Sequence, residues 1–254
     1  MSITSQAELT GIKMAGEVVG STLRAMRAYA RPGMSTKELD DYGASLLRSA
    51  GARSAPGKLY GFPGCTCISL NHEVAHGIPS HEKILREGDL VNIDVSAEVN
   101  GYYGDNGGSF ILGKDIHNLA PLVETSKRAL TKVLRHIRAG ARISDIGLLI
   151  ETEARRTGYK VIRNLVGHGI GRSLHEEPLE IPGFHDKTNT KRFRRNSVVA
   201  VETFISTRSQ YVYEKGDGWT YVTKDGSYVA QHEHTIIITE REPIIVTASN
   251  DILD

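Results

Sequence analysis

The chain repeats itself faintly at an offset of 107 residues. Glu17 matches Glu124, Leu23 matches Leu130, Arg31-Pro32-Gly33 matches Arg138-Ala139-Gly140, Leu39 matches Ile146, Arg48 matches Arg155 and Gly51 matches Gly158. Each half reads as a helix, a short glycine-containing turn, a second helix and then strands. Val19, Leu23, Met26 and Ala30 lie on one stripe of the first helix. The second helix opens on Ser35-Thr36-Lys37-Glu38, a capping box, and stops at Gly51. The repeat continues into the strands at an offset of 108, where Gly88-Asp89-Leu90-Val91-Asn92-Ile93-Asp94 resembles Asn196-Ser197-Val198-Val199-Ala200-Val201-Glu202. Asp94 and Glu202 therefore hold equivalent places, and a pseudo-twofold arrangement brings a carboxylate from each half to one centre. No Pro/Ser-rich linker parts the halves. The expectation is one mixed α/β domain over residues 1–254, with sub-repeats at roughly 8–115 and 116–240.

Asp94, Asp105, His168, Glu202 and Glu233 all sit on apolar or glycine-rich stretches that read as interior. Buried carboxylates are costly unless paired, protonated or bound to cations. No Lys or Arg adjoins Asp94, Glu202 or Glu233 in sequence. Two divalent metals are the simplest means of holding four carboxylates together, and two-metal sites of oxygen and nitrogen ligands are hydrolytic machinery. Asn100-Gly101 is a two-residue hairpin signal, which sets Val99 opposite Tyr102 and Ser96 opposite Asp105. Asp94 then shares a face with Ser96 and becomes a diagonal neighbour of Asp105, about 7–8 Å away at the backbone. Tyr228 to Ile238 reads as a strand, expected to pair through a turn near Asp225-Gly226 with the segment around Trp219. Alternation puts Gln231, Glu233 and Thr235 on one face and His232 and His234, read as structural, on the other.

Residues Gly167 to Pro178 hold too many glycines for a helix, and neither G-K-[ST] nor G-x-G-x-x-G spacing is present, so a phosphate loop is a weak reading. The glycines instead permit close backbone approach beside two histidines. His76, His168 and His175 all fall in glycine-containing segments expected to be loops, which favours functional roles. Composition excludes much else. Net charge is +1, which makes no case for nucleic acid or a membrane surface as partner, and no run of eighteen apolar residues exists. Met1 to Gln6 lacks the features of a signal peptide, and Cys65-Thr66-Cys67 is neither a disulfide framework nor a zinc motif, which points to a reducing cytoplasm.

Taken together, the motifs closely resemble type I methionine aminopeptidases of the pita-bread metallohydrolase fold. The resemblance covers nearly the whole chain. It rests on Asn71-His72-Glu73-Val74-Ala75-His76-Gly77-Ile78-Pro79, Asp94 with Asp105 eleven residues on, Gly167-His168-Gly169-Ile170-Gly171, His175-Glu176-Glu177-Pro178 and Gln231-His232-Glu233-His234-Thr235. It implies two pseudo-twofold-related halves around a central antiparallel sheet, with Asp94, Asp105, His168, Glu202 and Glu233 as ligands of two divalent metal ions. Asp94 would chelate one metal, Asp105 and Glu233 would bridge, and His168 and Glu202 would hold the other. Mn, Fe or Co suits an oxygen-rich site with one His. Glu202 would accept the proton of the attacking water, while His76 and His175 would contact substrate. Phe62, Cys67, Leu174 and Trp219 would form the methionine pocket, flanked by Tyr60. The substrates implied are N-termini of nascent polypeptides with a small second residue, met at the ribosome by a cytoplasmic monomer.

Three departures stand out: Thr203 after Glu202, where the family commonly has Pro; Leu174 in place of a common aromatic; and Gly107-Gly108-Ser109, expected to loosen a turn after Asp105. Glu202 and Glu233 lie 31 positions apart, too close for the helical insertion of type II enzymes. No Cys/His-rich extension precedes the first helix, as in short bacterial forms. The rivals are a proline-specific peptidase of the same fold, which typically carries a further N-terminal domain, and a non-catalytic pita-bread protein, which usually lacks some of the ligands.

Overall fold

A computed structural model describes residues 1–253. Its helices are α1 (Gln6–Tyr29), α2 (Thr36–Ser49), α3 (Ala55–Tyr60), α4 (Ala120–His136) and α5 (Ile143–Arg156). The strands of the first half are β1 (Arg53–Ser54), β2 (Cys67–Leu70), β3 (Glu73–Ala75), β4 (Leu90–Val99) and β5 (Tyr102–Ile111). Those that follow α5 are β6 (Lys160–Val161), β7 (Val166–Gly169), β8 (Glu176–Pro182), β9 (Val198–Ser206), β10 (Tyr213–Glu214), β11 (Tyr221–Val222), β12 (Val229–Ile237) and β13 (Ile244–Ile245). The main sheet is antiparallel and runs β1-β4-β5-β12-β9-β7-β8, with β2 on β4, β6 on β9 and β13 on β12. A small second sheet runs β10-β11-β3.

Local signals in the sequence fix several of these elements. Ser35 and Glu38 close both bonds of the capping box that starts α2. Asn100 and Gly101 both adopt positive φ, as a tight hairpin requires, and pair Val99 with Tyr102 and Ser96 with Asp105. The repeat also appears in the backbone: Gly33 and Gly140 share positive φ, as do Gly51 and Gly158, and Gly88 and Asn196. α1 lies on β4 and β5, and α4 lies on β12 and β9. Val19, Leu23 and Met26 are buried on the inner face of α1.

Three expectations are corrected. β12 pairs with β9 and β5, not with the segment around Trp219; Tyr221 and Val222 next to that segment pair with β3 and β10 instead. The turn near Asp225-Gly226 exists, but it hands the chain from the small sheet to the main one. Gly107, Gly108 and Ser109 form no loose turn. They lie within β5, where Gly108 makes room for Ile252. His168 lies on β7 and not in a loop.

Close docking of α1 depends on Gly104, because a Cβ there would sit 3.0 Å from the backbone of Ala15. Gly104→Val is expected to destabilise the fold by about 1–3 kcal/mol, the usual cost of overpacking. Urea unfolding would check this, and an unchanged midpoint would contradict it.

Candidate active site

Five consecutive strands of the main sheet, β4, β5, β12, β9 and β7, each contribute one of the five residues singled out above. Asp94 on β4 is opposite Gly107, and Asp105 on β5 is opposite Ser96. Glu233 on β12 directly faces Glu202 on β9, and His168 on β7 faces Ala200, two residues along β9 from Glu202. With side chains alternating, this register turns all five toward one face of the sheet. Ligand atoms of Asp105, His168 and Glu233 lie within 4.8 Å of one another. The carboxyls of Asp94 and Asp105 are close enough that each shifts the other's pKa.

The electrostatics are those of a crowded set of acids. Burial, with repulsion from Asp94 and Glu202, drives Asp105 well above the carboxylate range. Burial, with Asp105, Glu202 and Asp94 nearby, does the same to Glu233. Burial lifts Asp94 to about 6, and burial with repulsion from Asp94 lifts Glu202 to about 8. Burial pushes His168 down to about 4.

His168 shows what this set of groups fits. Its Nδ1 lies 3.0 Å from the carbonyl oxygen of Gly169, which can only accept, so Nδ1 carries the proton. In the neutral ring Nε2 is then a lone pair, and it points at Asp105 Oδ2 from 3.7 Å. Asp105 Oδ1 is buried and makes no hydrogen bond. A lone pair facing a carboxyl group, with an orphaned oxygen beside it, presents converging donors to a cation. The donor set, oxygen-rich with one imidazole, fits a divalent ion.

The five residues line one side of a cavity of about 300 Å³. Phe62, Cys67, Leu174 and Trp219 line it too, with the Phe62 and Trp219 rings edge to face at 5.2 Å. Leu174 is buried in this wall. His76 and His175 stand at the opening. His76 has φ of 53° and sets its ring edge against Tyr221. Solvent reaches it through the cleft, but protein crowds its other sides, and that burial together with nearby His175 lowers its pKa. His175 packs on His168 with centroids 4.2 Å apart, and its Nδ1 bonds the Tyr60 hydroxyl at 2.8 Å. Every expected site residue thus reaches this one cavity.

Sequence reading missed some of the surroundings. Asn164, Leu165 and Leu179 also line the cavity, and the Tyr60–His175 bond links segments too far apart for spacing to reveal. Gln231 lies on the expected face, and its bonds to Glu202 and Glu233 have no local signal in the sequence. His232 and His234 point away and bond Ser126 and Thr247. Thr203 fills the place of the family's proline, bonded to Ser126 of α4 at 2.7 Å.

Comparison with known proteins agrees with this geometry. The model of metallopeptidase family M24 matches residues 10–240. Methionine aminopeptidase 2 of Bacillus subtilis is 51% identical over 97% of this chain and 99% of its own. The crystal structure of methionine aminopeptidase from Thermotoga maritima superposes with a TM-score of 0.93 at 35% identity, covering 97% of this chain and 99% of that one. The prolidase of Pyrococcus furiosus shares the fold at 21% identity and a TM-score of 0.77, with only 65% of its chain covered.

A stability test follows from the acids. Groups whose pKa rises on folding make the folded state the better proton binder, so stability falls with rising pH until the folded pKa is passed. The buried histidines, lowered below 6.5, act in the opposite sense but only below that value. Between pH 6.5 and 8 the raised acids Glu202, Asp105 and Glu233 should therefore outweigh the histidines. The Tm of chelator-treated protein is expected to fall by at least several degrees across this window, since each of these acids adds to the slope. Adding Mn²⁺ should abolish the fall; an equal fall with and without Mn²⁺ would count against the cation fit.

Proposed function

The chain belongs to metallopeptidase family M24, and from that premise we propose that it is a methionine aminopeptidase, hydrolysing the bond after an N-terminal methionine when the second residue is small. One observation carries this reading. The five ligand-type residues and the apolar wall of Phe62, Cys67, Leu174 and Trp219 share one cavity, so a side chain held by the wall presents its own amide bond to the acids.

Asp94, Asp105, His168, Glu202 and Glu233 would hold two divalent ions, with Mn, Fe or Co suited to the donor set. When bound, such ions supply a water nucleophile at neutral pH and polarise the scissile carbonyl. Asp94 lies on the Asp105 side of the set, and Asp105 and Glu233, on the adjacent strands β5 and β12, would be the carboxylates shared between the ions. Glu202 lines the cavity, and its raised pKa suits it to take a proton from water and pass it to the leaving amine. His76 and His175, both lowered in pKa, are neutral near pH 7 and can donate a hydrogen bond to the substrate as charge develops on its carbonyl oxygen. Tyr60, bonded to His175, fixes that ring at the rim.

The same reading takes the chain as one catalytic unit of two repeats, supported by the matched positive-φ residues and by a site drawn from both halves. Among the described residues no helix is long and apolar enough to cross a membrane. The substrates would be nascent polypeptides emerging from the ribosome in the cytoplasm, processed by a monomer. Coverage of nearly the full lengths of the aminopeptidase relatives, against 65% of the prolidase, favours this reading over a proline-specific one.

His168→Ala and Asp105→Ala are expected to abolish cleavage of Met-Ala-Ser and to lower the amount of metal bound; wild-type metal content and rate in His168→Ala would refute the ligand assignment. His76→Ala and His175→Ala should retain metal and lose roughly 10²–10⁴-fold in rate. Loss of all metal from a folded variant would make that histidine a ligand instead. Met-Ala peptides should be cleaved and Met-Lys peptides should not, and Leu174→Phe should narrow choice at the first residue without altering metal content. Equal cleavage of Met-Ala and Met-Lys would overturn the selectivity argument.

A further inference from the structure

Behind the acids lies a row of uncharged polar side chains that the reaction does not use. Gln231 on β12 is 1% exposed, and its Nε2 lies 3.0 Å from Glu233 Oε2 and 3.3 Å from Glu202 Oε2. Its Oε1 accepts from Asn92 Nδ2 at 2.8 Å, and the same Nδ2 reaches Ser109 Oγ at 3.2 Å. Ser109 Oγ also accepts from the backbone N–H of Gln231 at 2.8 Å. Asn92 and Ser109 are cross-strand partners on β4 and β5, and both are buried. Gly107 leaves the space, since a Cβ there would lie 2.4 Å from Gln231 Oε1.

Chemistry fixes the direction of this row. As metal ligands Glu202 and Glu233 are ionised and can only accept, so Gln231 turns its NH₂ toward them. Its carbonyl then faces away and needs a donor, which the Asn92 amide supplies. A glutamine with no such partner could rotate its amide by half a turn and set its carbonyl against two carboxylates. We propose that Asn92 is a positioning residue that locks the amide of Gln231, so that Gln231 holds Glu202 and Glu233 by one oxygen each and keeps both carboxylates set for metal. Asn92 touches neither glutamate and acts only through Gln231. The inference rests on reading those two glutamates as metal ligands.

Asn92→Asp tests this with almost no change of shape. The introduced carboxylate accepts where an amide donated, and it turns the Gln231 NH₂ toward itself. Mn²⁺ titrated calorimetrically into metal-free protein should bind roughly 10–100-fold more weakly, the range for lost support behind a ligand. Asn92→Ala, which adds no charge, should show a smaller loss of the same kind, and Gly107→Ala should mimic it by displacing the amide. In a Gln231→Met background, Asn92→Asp should cause no further loss. With metal saturating, kcat should fall while KM for Met-Ala-Ser stays near its original value, because the methionine wall is untouched. If a variant fails to fold, the unmodified protein still decides: with ¹⁵N-labelled glutamine, the Gln231 side-chain NH₂ signal should be protected from exchange and should shift on adding Zn²⁺. Unaltered Mn²⁺ affinity in folded Asn92→Asp, additive losses in the double variant, or an unshifted, freely exchanging Gln231 amide would overturn the proposal. If the unmodified protein itself bound no Mn²⁺, the ligand reading would fail instead.

Discussion

Repulsion among like charges is the condition that the rest of this structure answers. Four carboxyl groups converge from adjacent strands, and among the described residues no Lys or Arg pairs with them: the partner of Glu202 and Glu233 is the Gln231 amide, and Asp105 leaves one oxygen without a hydrogen bond. Holding them together costs free energy that burial alone only increases. The sheet withstands this because each acid sits on a different strand of a continuous antiparallel ladder, backed by α1 and α4. Moving any one acid out of the site means shifting a strand register, which would turn a whole apolar face toward solvent.

The rest of the site is arranged in layers around that set. The lone pair of His168 completes the donors, and its tautomer is fixed by its own neighbour's carbonyl. The amides of Gln231 and Asn92 bring polarity without charge. Beyond them the imidazoles of His232 and His234 tie the reverse face of β12 to α4 and to Thr247, so the central strand is anchored from both sides. Thr203 fits the same scheme. Where a proline would have added no hydrogen bond, its hydroxyl joins Ser126 and so links β9 to α4.

Local rules were enough for part of this. The capping box at Ser35, the Asn100-Gly101 hairpin and its register, and the shared face of Asp94 and Asp105 all follow from residues within a few positions of each other. The repeat carried further, placing Asp94 and Glu202 as counterparts. Reading β12 locally failed, because a strand buried on both edges takes partners distant in sequence and Trp219 was merely the nearest candidate. Gly107 and Gly108 also misled. In isolation glycine signals a turn, whereas here Gly107 and Gly108 lie where side chains from β12 and the C-terminal segment come close. The Asn92–Gln231 contact spans 139 residues and left no local trace.

The order of strands in space differs from their order in the chain, and this affects how the molecule is made. β12 lies at the centre of the main sheet, yet every other strand of that sheet except β13 precedes it in sequence. Until it inserts, β5 and β9 present two unpaired inner edges, the kind of surface that recruits strands from other chains. Neither half holds a complete set of ligands, since Asp94 and Asp105 come from the first and His168, Glu202 and Glu233 from the second. Closing the sheet and assembling the catalytic centre are therefore one event, and a partly folded chain has no working site with which to cleave other proteins.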